Sequence, residues 1–284
     1  MNTPSPPTAE PSPTARELLA FYLEAGVDCA LLEEPPNRLL DPEIATPPPV
    51  AAPTANIRRP PPAPAAIPRA PAATAPAPDV AIASARDAAR TAPTLEALRA
   101  LLETFDGCAL KQTATRLVFA DGNPQARIMF VGEAPGRDED LEGIPFIGRS
   151  GKLLDRMIGA IGLDRTTAYI TNVIPWRPPG NRDPSPQETQ ICLPFIKRQI
   201  ELVDPDVLVC LGKPSSHAVL ELKDGIMRTR GRWHDYDTGT RTIRAMAMFH
   251  PAYLLRQPIH KRLAWQDLRA ISKALDAATS APAT

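Results

Sequence analysis

Residues 127–136 read RIMFVGEAPG, a short apolar run that ends in a glycine-rich turn. Three similar apolar and partly β-branched runs follow along the chain, and amphipathic stretches with helical spacing separate them. The apolar runs cover 127–131, 168–173, 206–211 and 242–249, and the helical stretches cover 150–162, 186–202, 213–222 and 260–277. This alternation predicts an α/β domain with a central parallel four-stranded sheet flanked by helices.

The whole chain is electrically balanced, with 284 residues, 32 basic and 32 acidic side chains and a net charge of zero. This balance excludes a protein that binds nucleic acid through overall positive charge alone.

No apolar run approaches the roughly 18 residues that a membrane-spanning helix needs, and we expect no secretory signal because the N-terminus lacks a charged and an apolar segment. Four cysteines are too few for a disulfide scaffold, so we expect a reducing, cytoplasmic setting.

Proline separates the chain into two regions. Twenty of the 35 prolines lie before residue 80, and residues 47–78 are almost wholly proline and alanine. Because proline lacks an amide donor and fixes its own backbone torsion, such a run predicts a disordered linker. We therefore divide the chain into an N-terminal region over 1–81 and a folded domain over 82–279. Residues 15–33 have near-helical apolar spacing and predict a short helix that either docks on the folded domain or binds a partner protein.

The folded domain is expected to begin with helical structure. Residues 82–105 are rich in alanine and leucine at helical spacing. Thr94 lies inside this stretch and is expected to start a capping box, because a threonine side chain satisfies free amides in the first turn of a helix.

Unusual residues lie at the predicted carboxyl ends of three strands. The segments are 132–140 (GEAPGRDED), 171–172 (TN), 177–186 (RPPGNRDPSP) and 250–256 (HPAYLLR), together with 145–151 (PFIGRSG) ahead of the next helix. Each alone has a structural explanation, such as a turn glycine, a cap or a solvated acidic loop. In open α/β sheets, however, ligands bind in the crevice beyond the carboxyl ends of the strands. Their joint placement therefore predicts one site, where small residues admit a flat ligand and Phe146 offers a stacking surface.

Residues from about 108 to 275 resemble the uracil-DNA glycosylase superfamily, and most closely its family 4 enzymes of bacteria and archaea. The resemblance rests on GNP at 122–124, GEAPG at 132–136, PFIG at 145–148, TN at 171–172, RPPGNRDP at 177–184 and HPAYLLR at 250–256. It implies the three-layer sandwich of that superfamily and a monofunctional DNA repair enzyme that works as a monomer on uracil-containing DNA. Such an enzyme flips uracil out of DNA and hydrolyses its N-glycosidic bond, which leaves an abasic site for base excision repair.

The resemblance also implies roles for individual residues. Those expected to be catalytic are Glu133, Asn172 and His250, those expected to contact uracil are Gly132, Ala134, Phe146, Asn172 and His250, and those expected to contact DNA are Arg182, Ser185, Leu254, Leu255 and Arg256. Phe146 is expected to stack on the base, Asn172 to bind O4 and N3–H, and His250 to bind O2. The segment 254–256 is expected to enter the minor groove and fill the gap left by the flipped base.

The sequence leaves open which carboxylate positions the hydrolytic water. Glu133 and the carboxylates at 138–140 are all within reach along the sequence. Ala134 stands where other branches of the superfamily place a carboxylate, so we do not expect a strong general base.

The sequence departs from family 4 at the positions that bind its 4Fe–4S cluster. The matching positions are Cys108, Lys111, Trp176 and Cys192, so only two of the four thiolates are present. Iron–sulfur clusters need thiolate ligands, which lysine and tryptophan do not supply. We therefore expect no cluster and no other cofactor, with Lys111 and Trp176 filling the space by packing.

Three other classes of protein are alternatives to the glycosylase. One is a non-catalytic binder of uracil-containing DNA, although the covalently trapping branch of the superfamily carries a His-rich insertion that 177–186 lacks. Another is a module whose proline-rich tail recruits repair partners, which is compatible with catalysis. An unrelated nucleotide-binding protein is disfavoured, because the chain has neither a P-loop nor a dinucleotide-binding fingerprint after a strand.

Overall fold

The computed structural model describes residues 78–280. The helix predicted over 15–33 and the proline- and alanine-rich linker lie outside the described residues. The boundary between an N-terminal region over 1–81 and a catalytic domain over 82–279 stays a prediction.

The described chain alternates strands and helices. The helices are α1 Pro78–Thr91, α2 Leu95–Thr104, α3 Leu110–Thr113, α4 Arg137–Glu142, α5 Arg149–Gly159, α6 Pro186–Val203, α7 Lys213–Val219, α8 Ile226–Thr229, α9 Pro251–Arg256 and α10 Lys261–Ser280. The strands are β1 Asp121–Gly122, β2 Ile128–Gly132, β3 Tyr169–Asn172, β4 Val207–Leu211, β5 Trp233–Asp237 and β6 Thr242–Met248. None of the helices in this part of the chain is long and apolar enough to cross a membrane.

The strands form one six-stranded sheet in the order β1-β3-β2-β4-β6-β5. The four inner strands are parallel, which confirms the predicted four-stranded parallel sheet. Two antiparallel edge strands, β1 and β5, add to it and were not predicted. The register between β2 and β3 places Gly132 beside Asn172 at the carboxyl ends of these two strands, so the loops that follow them start side by side.

Helices cover both faces of the sheet and complete the three-layer sandwich. Because successive strand residues point to opposite faces, Met129 and Val131 of β2 join one apolar cluster and Ile128 and Phe130 join the other. The first cluster includes α1, α2 and α6, and the second includes α5 and α10. The two clusters hold the sheet rigid, so the loops at its carboxyl edge project from a fixed base.

The helical stretch predicted at 82–105 is two helices. Pro93 separates α1 from α2, since the residue before a proline is disfavoured in helical conformation. Thr94 is the N-cap of α2 and accepts a hydrogen bond from the amide of Ala97 at 3.2 Å. The predicted capping box is wrong, because Ala97 occupies the position where a reciprocating glutamate would stand.

Candidate active site

A cavity of about 570 Å³ opens at the carboxyl edge of the parallel sheet. The loops that follow β2, β3, β4 and β6 all contribute to its wall. Among the residues predicted from the sequence, the cavity is lined by Glu133, Ala134, Phe146, Asn172, Arg182, His250 and Arg256. The structure thus brings into one place segments that are separated by more than a hundred residues in the chain.

Gly132 ends β2 below the floor of this cavity. A Cβ atom added at Gly132 would lie 2.3 Å from Oδ1 of Asn172 and 2.5 Å from Cζ of Phe146. The side-chain amide of Asn172 and the ring of Phe146 therefore meet over a residue with no side chain. This explains why the strand ends in glycine, and it places Asn172 and Phe146 against each other.

Phe146 and His250 lie next to each other in the wall of the cavity, which Phe249 and Tyr253 also line. The ring centroids of Phe146 and His250 are 5.5 Å apart and the ring planes are inclined by 30°. Phe146 has a φ of 56°, a left-handed conformation that is uncommon for a residue with a side chain. The ring is held in the cavity by a local backbone shape that has to be stabilised by its surroundings.

His250 is the N-cap of α9, and its ring is fixed by a backbone hydrogen bond. Its Nδ1 accepts a hydrogen bond from the amide of Ala252 at 3.1 Å. Because that nitrogen is an acceptor, the proton of the neutral ring lies on Nε2. Burial, together with the positive charge of Arg256, lowers the pKa of His250 to about 4. At neutral pH this residue is therefore an uncharged Nε2–H donor.

Glu133 is a carboxylate of the cavity with a raised pKa. Burial, with a smaller effect from the negative charge of Asp183, raises the pKa of Glu133 to about 7. Both residues line the cavity. Such a carboxylate can accept a proton from water at neutral pH better than an ordinary solvated glutamate.

Two carboxylates of the acidic segment 138–140 hold the local structure together. Glu139 accepts hydrogen bonds from the amides of Gly136, Ile147 and Gly148 at 3.0 to 3.2 Å, so it joins the loop after β2 to the loop that carries Phe146. Asp140 accepts from the amide and hydroxyl of Thr115 at 2.8 and 2.9 Å. These buried carboxylates already have their partners, which leaves Glu133 as the better candidate to hold water.

Two of the residues predicted to contact DNA, Arg182 and Ser185, already have hydrogen-bond partners within the protein. Arg182 lines the cavity, but Glu188 holds its guanidinium in a bidentate bridge of 2.8 and 2.6 Å, so a phosphate would have to share or replace that bridge. Ser185 is the N-cap of α6 and accepts from the amide of Glu188 at 3.2 Å. Its hydroxyl is therefore engaged in starting the helix.

Another residue predicted to contact DNA is placed in the core. Leu254 is 1% exposed and packs in one of the two apolar clusters, so the structure does not place it on the surface where it was predicted to contact DNA. Leu255 is 37% exposed and Arg256 is exposed beside it. Because the segment is helical, neighbouring residues point about 100° apart, which lets Leu254 face the core while Leu255 faces outward.

The sequence analysis missed two charged residues of the cavity, Asp183 and Lys213. Asp183 lies between Arg182 and Ser185, the two residues of segment 177–186 that were predicted to contact DNA. Lys213 follows Gly212 at the carboxyl end of β4, and Gly212 has a φ of 93°. The sequence carries a signal for Lys213, because this residue follows the apolar run over 206–211 that is predicted to be a strand.

The residues at the four cluster positions do not fit an iron–sulfur cluster. The thiols of Cys108 and Cys192 are buried, and their interaction with each other lowers the pKa of Cys108 and raises that of Cys192. Trp176 is 2% exposed and packs in the same apolar cluster as both thiols. The ammonium of Lys111 forms an ion pair with Asp106, with 2.9 Å between Nζ and Oδ1. Over residues 78–280, no three His, Cys, Asp or Glu side chains are grouped to hold a metal ion.

The fold and the cavity define a class of protein, an α/β enzyme that accepts a flat polar ring at the carboxyl edge of its sheet. The sequence model of the uracil DNA glycosylase superfamily matches residues 119–269. The chain is 44% identical over 155 residues to the type-4 uracil-DNA glycosylase of Archaeoglobus fulgidus, which covers 53% of this chain and 78% of that protein. It is 41% identical over 164 residues to the type-4 uracil-DNA glycosylase of Thermotoga maritima, and this match covers 57% of this chain and 84% of that protein. The chain belongs to the uracil DNA glycosylase superfamily, in its family 4 branch.

Proposed function

We propose that this protein is a monofunctional glycosylase that removes uracil from DNA and leaves an abasic site for base excision repair. The observation that carries the proposal is the single cavity that joins Glu133, Phe146, Asn172 and His250 in a member of this superfamily. The substrate is DNA that contains uracil. The protein binds the extruded nucleotide and breaks the bond between the base and the sugar.

The cavity recognises uracil by stacking and by hydrogen bonds. Extruding a nucleotide from the duplex costs a few kcal/mol, which stacking on Phe146 partly offsets. The amide of Asn172 offers both a donor and an acceptor, so it accepts from N3–H and donates to O4. Cytosine presents an amino group and an unprotonated N3 at those places and is a poor match. Leu255, the exposed leucine of α9, fills the gap left in the base stack.

Bond cleavage moves negative charge onto the base. The electron pair of the C1′–N1 bond leaves with uracil, and the sugar acquires oxocarbenium character. Nε2–H of His250 donates to O2 and stabilises the developing anion, as a preset donor does in an oxyanion hole. A water molecule adds its oxygen to C1′ and passes its proton to the carboxylate of Glu133, which orients it.

The activity is expected to depend on pH through Glu133. With a pKa of about 7, this side chain is neutral below pH 7 and a carboxylate above it. We expect kcat/KM to rise with pH up to about 7 and then to level off. His250, with a pKa of about 4, stays neutral over that range and adds no step. The measurement is a pH–rate profile of uracil excision.

Glu133→Gln is the comparison for that profile. It is expected to lower the plateau by about 100-fold and to remove the rise with pH, since the glutamine amide does not titrate. A profile in which the glutamine variant keeps the same rise would assign the titration to another group.

The activity itself is tested with a labelled duplex that carries one uracil. After incubation and alkali treatment, we expect strand cleavage at the uracil and none in matched duplexes with thymine or cytosine there. Binding of the uracil duplex without cleavage would favour the non-catalytic binder. No preference for uracil in either readout would overturn the proposal.

We further propose that this branch member works without an iron–sulfur cluster. The support is chemical, since two ligand positions hold an ammonium and a buried indole in place of thiolates. We expect purified protein to lack stoichiometric iron and sulfide. The double variant Lys111→Cys/Trp176→Cys is expected to gain both on reconstitution with ferrous iron and sulfide, along with visible cluster absorbance.

The two single variants, each with three thiols, are the matched controls for that reconstitution. They are expected to bind iron weakly or not at all. Stoichiometric iron and sulfide in the unaltered protein would overturn the proposal.

We also propose a cytoplasmic, monomeric protein whose segment 15–33 binds a partner protein. The described cysteines are free thiols, which suits a reducing compartment. Light scattering of the purified protein measures its molar mass, which we expect to be that of one chain. A pull-down with the isolated 15–33 peptide tests whether this segment binds a partner protein.

A further inference from the structure

We propose that Arg165 is a positioning residue for uracil recognition, which acts by holding the ring of Phe146 in the cavity. This inference rests on the proposed function, because it assigns Phe146 as the surface on which the base stacks. Arg165 lies between α5 and β3 and does not itself line the cavity. Its effect on the base is therefore indirect.

The guanidinium of Arg165 binds the backbone that presents the ring. Its Nη1 donates to the carbonyl of Pro145 at 3.1 Å, and its Nη2 donates to the carbonyl of Phe146. One planar group thus holds two consecutive carbonyls, which fixes the peptide planes on the N- and C-terminal sides of Phe146. A single-point donor such as lysine cannot hold both in this way.

Two acidic side chains fix the guanidinium in turn. Asp121 of β1 pairs with Nη1 at 2.6 Å, and Asp155 of α5 pairs with Nε at 2.9 Å. The side chain of Arg165 is a quarter exposed and that of Asp121 a third, so this pair is partly shielded from water. The loop of Phe146 is therefore tied through Arg165 to the edge strand of the sheet and to helix α5, which packs against the sheet.

The backbone of Phe146 requires such support. Its φ of 56° is a conformation that L-residues seldom adopt without compensating contacts. Gly151 of α5 leaves room for this backbone, because an added Cβ there would lie 1.6 Å from the carbonyl oxygen of Phe146. Arg165 supplies the compensating contacts through its hydrogen bonds to the carbonyls of Pro145 and Phe146. Without it, the loop is free to relax to an ordinary φ, which turns the ring away from Gly132 and Asn172.

The experiment compares Arg165→Ala with Arg241→Ala. Arg241 is a matched control because it also pairs with two acidic residues, Asp204 at 2.9 Å and Asp206 at 3.2 Å, and it lies outside the cavity. Two quantities are measured, the single-turnover rate of uracil excision and the affinity for free uracil by calorimetry. We expect Arg165→Ala to weaken uracil binding and to slow excision by about 10-fold each, a typical effect of losing base–aromatic stacking. Arg241→Ala is expected to change both by less than about twofold.

A double variant separates positioning from general stability. If Arg165 acts through the ring, adding Arg165→Ala to Phe146→Ala causes little further loss of uracil affinity. Losses that multiply, or an Arg165→Ala variant that behaves like Arg241→Ala, would overturn the inference. Arg165→Lys, which keeps the charge and loses the paired donors, is expected to fold normally and to show an intermediate loss.

The two measurements also distinguish this inference from the proposed function. Unaltered protein that binds uracil but does not cut uracil-containing DNA would refute the glycosylase while the affinity series still tests Arg165. Unaltered protein that neither binds uracil nor cuts the DNA would overturn both.

Discussion

Replacing His250 by alanine is expected to slow uracil excision by about 100- to 1,000-fold, the usual cost of removing one preset donor to a developing anion. The ring is held by the amide of Ala252 and is uncharged at neutral pH, so its Nε2–H is available throughout the working range. Alanine removes the donor and leaves water to solvate O2. The measurement is the single-turnover rate on a duplex with one uracil.

His234→Ala is the control for that loss. His234 lies on the edge strand β5, away from the cavity, and its replacement is expected to leave the rate within about twofold of the unaltered protein. His250→Gln, which restores an N–H donor on a longer side chain, is expected to recover part of the rate. A His250→Ala variant that keeps more than about a fifth of the activity would show that the charge on O2 is stabilised elsewhere.

The inner sheet could be predicted from the sequence because its strands are buried on both faces. Such strands are continuous apolar runs, and β2 and β4 are buried at every residue. The edge strands carry no such signal. β1 has two residues, and β5, with the sequence WHDYD, is half-exposed and reads as a polar loop.

The cavity could also be predicted, because the carboxyl ends of parallel strands meet at one edge whatever the loops contain. What each side chain does there depends on its direction and its partners. Leu254 and Leu255 are identical in the sequence, yet helix α9 turns one into the core. Likewise, Glu139 accepts hydrogen bonds from backbone amides, whereas burial and the negative charge of Asp183 raise the pKa of Glu133.

The second large effect is expected for Gly132→Ala. The new methyl would lie 2.3 Å from Oδ1 of Asn172 and 2.5 Å from the ring of Phe146, far inside normal contact distances. Both groups face the cavity, and neither can keep its place. Displacing a recognition group by about 1 Å can cost 100-fold in rate, so moving two is expected to abolish measurable excision of uracil.

Gly159→Ala is the matched control for the same change of residue. Gly159 is the last residue of α5, and an added Cβ there meets no atom within 4 Å. Alanine is the better helix former, so this variant is expected to keep full activity and to gain slightly in melting temperature. Circular dichroism and melting show whether Gly132→Ala is folded. A folded Gly132→Ala protein with ordinary activity would mean that Asn172 and Phe146 do not meet over this glycine when uracil is bound, and the assignment of the cavity would be wrong.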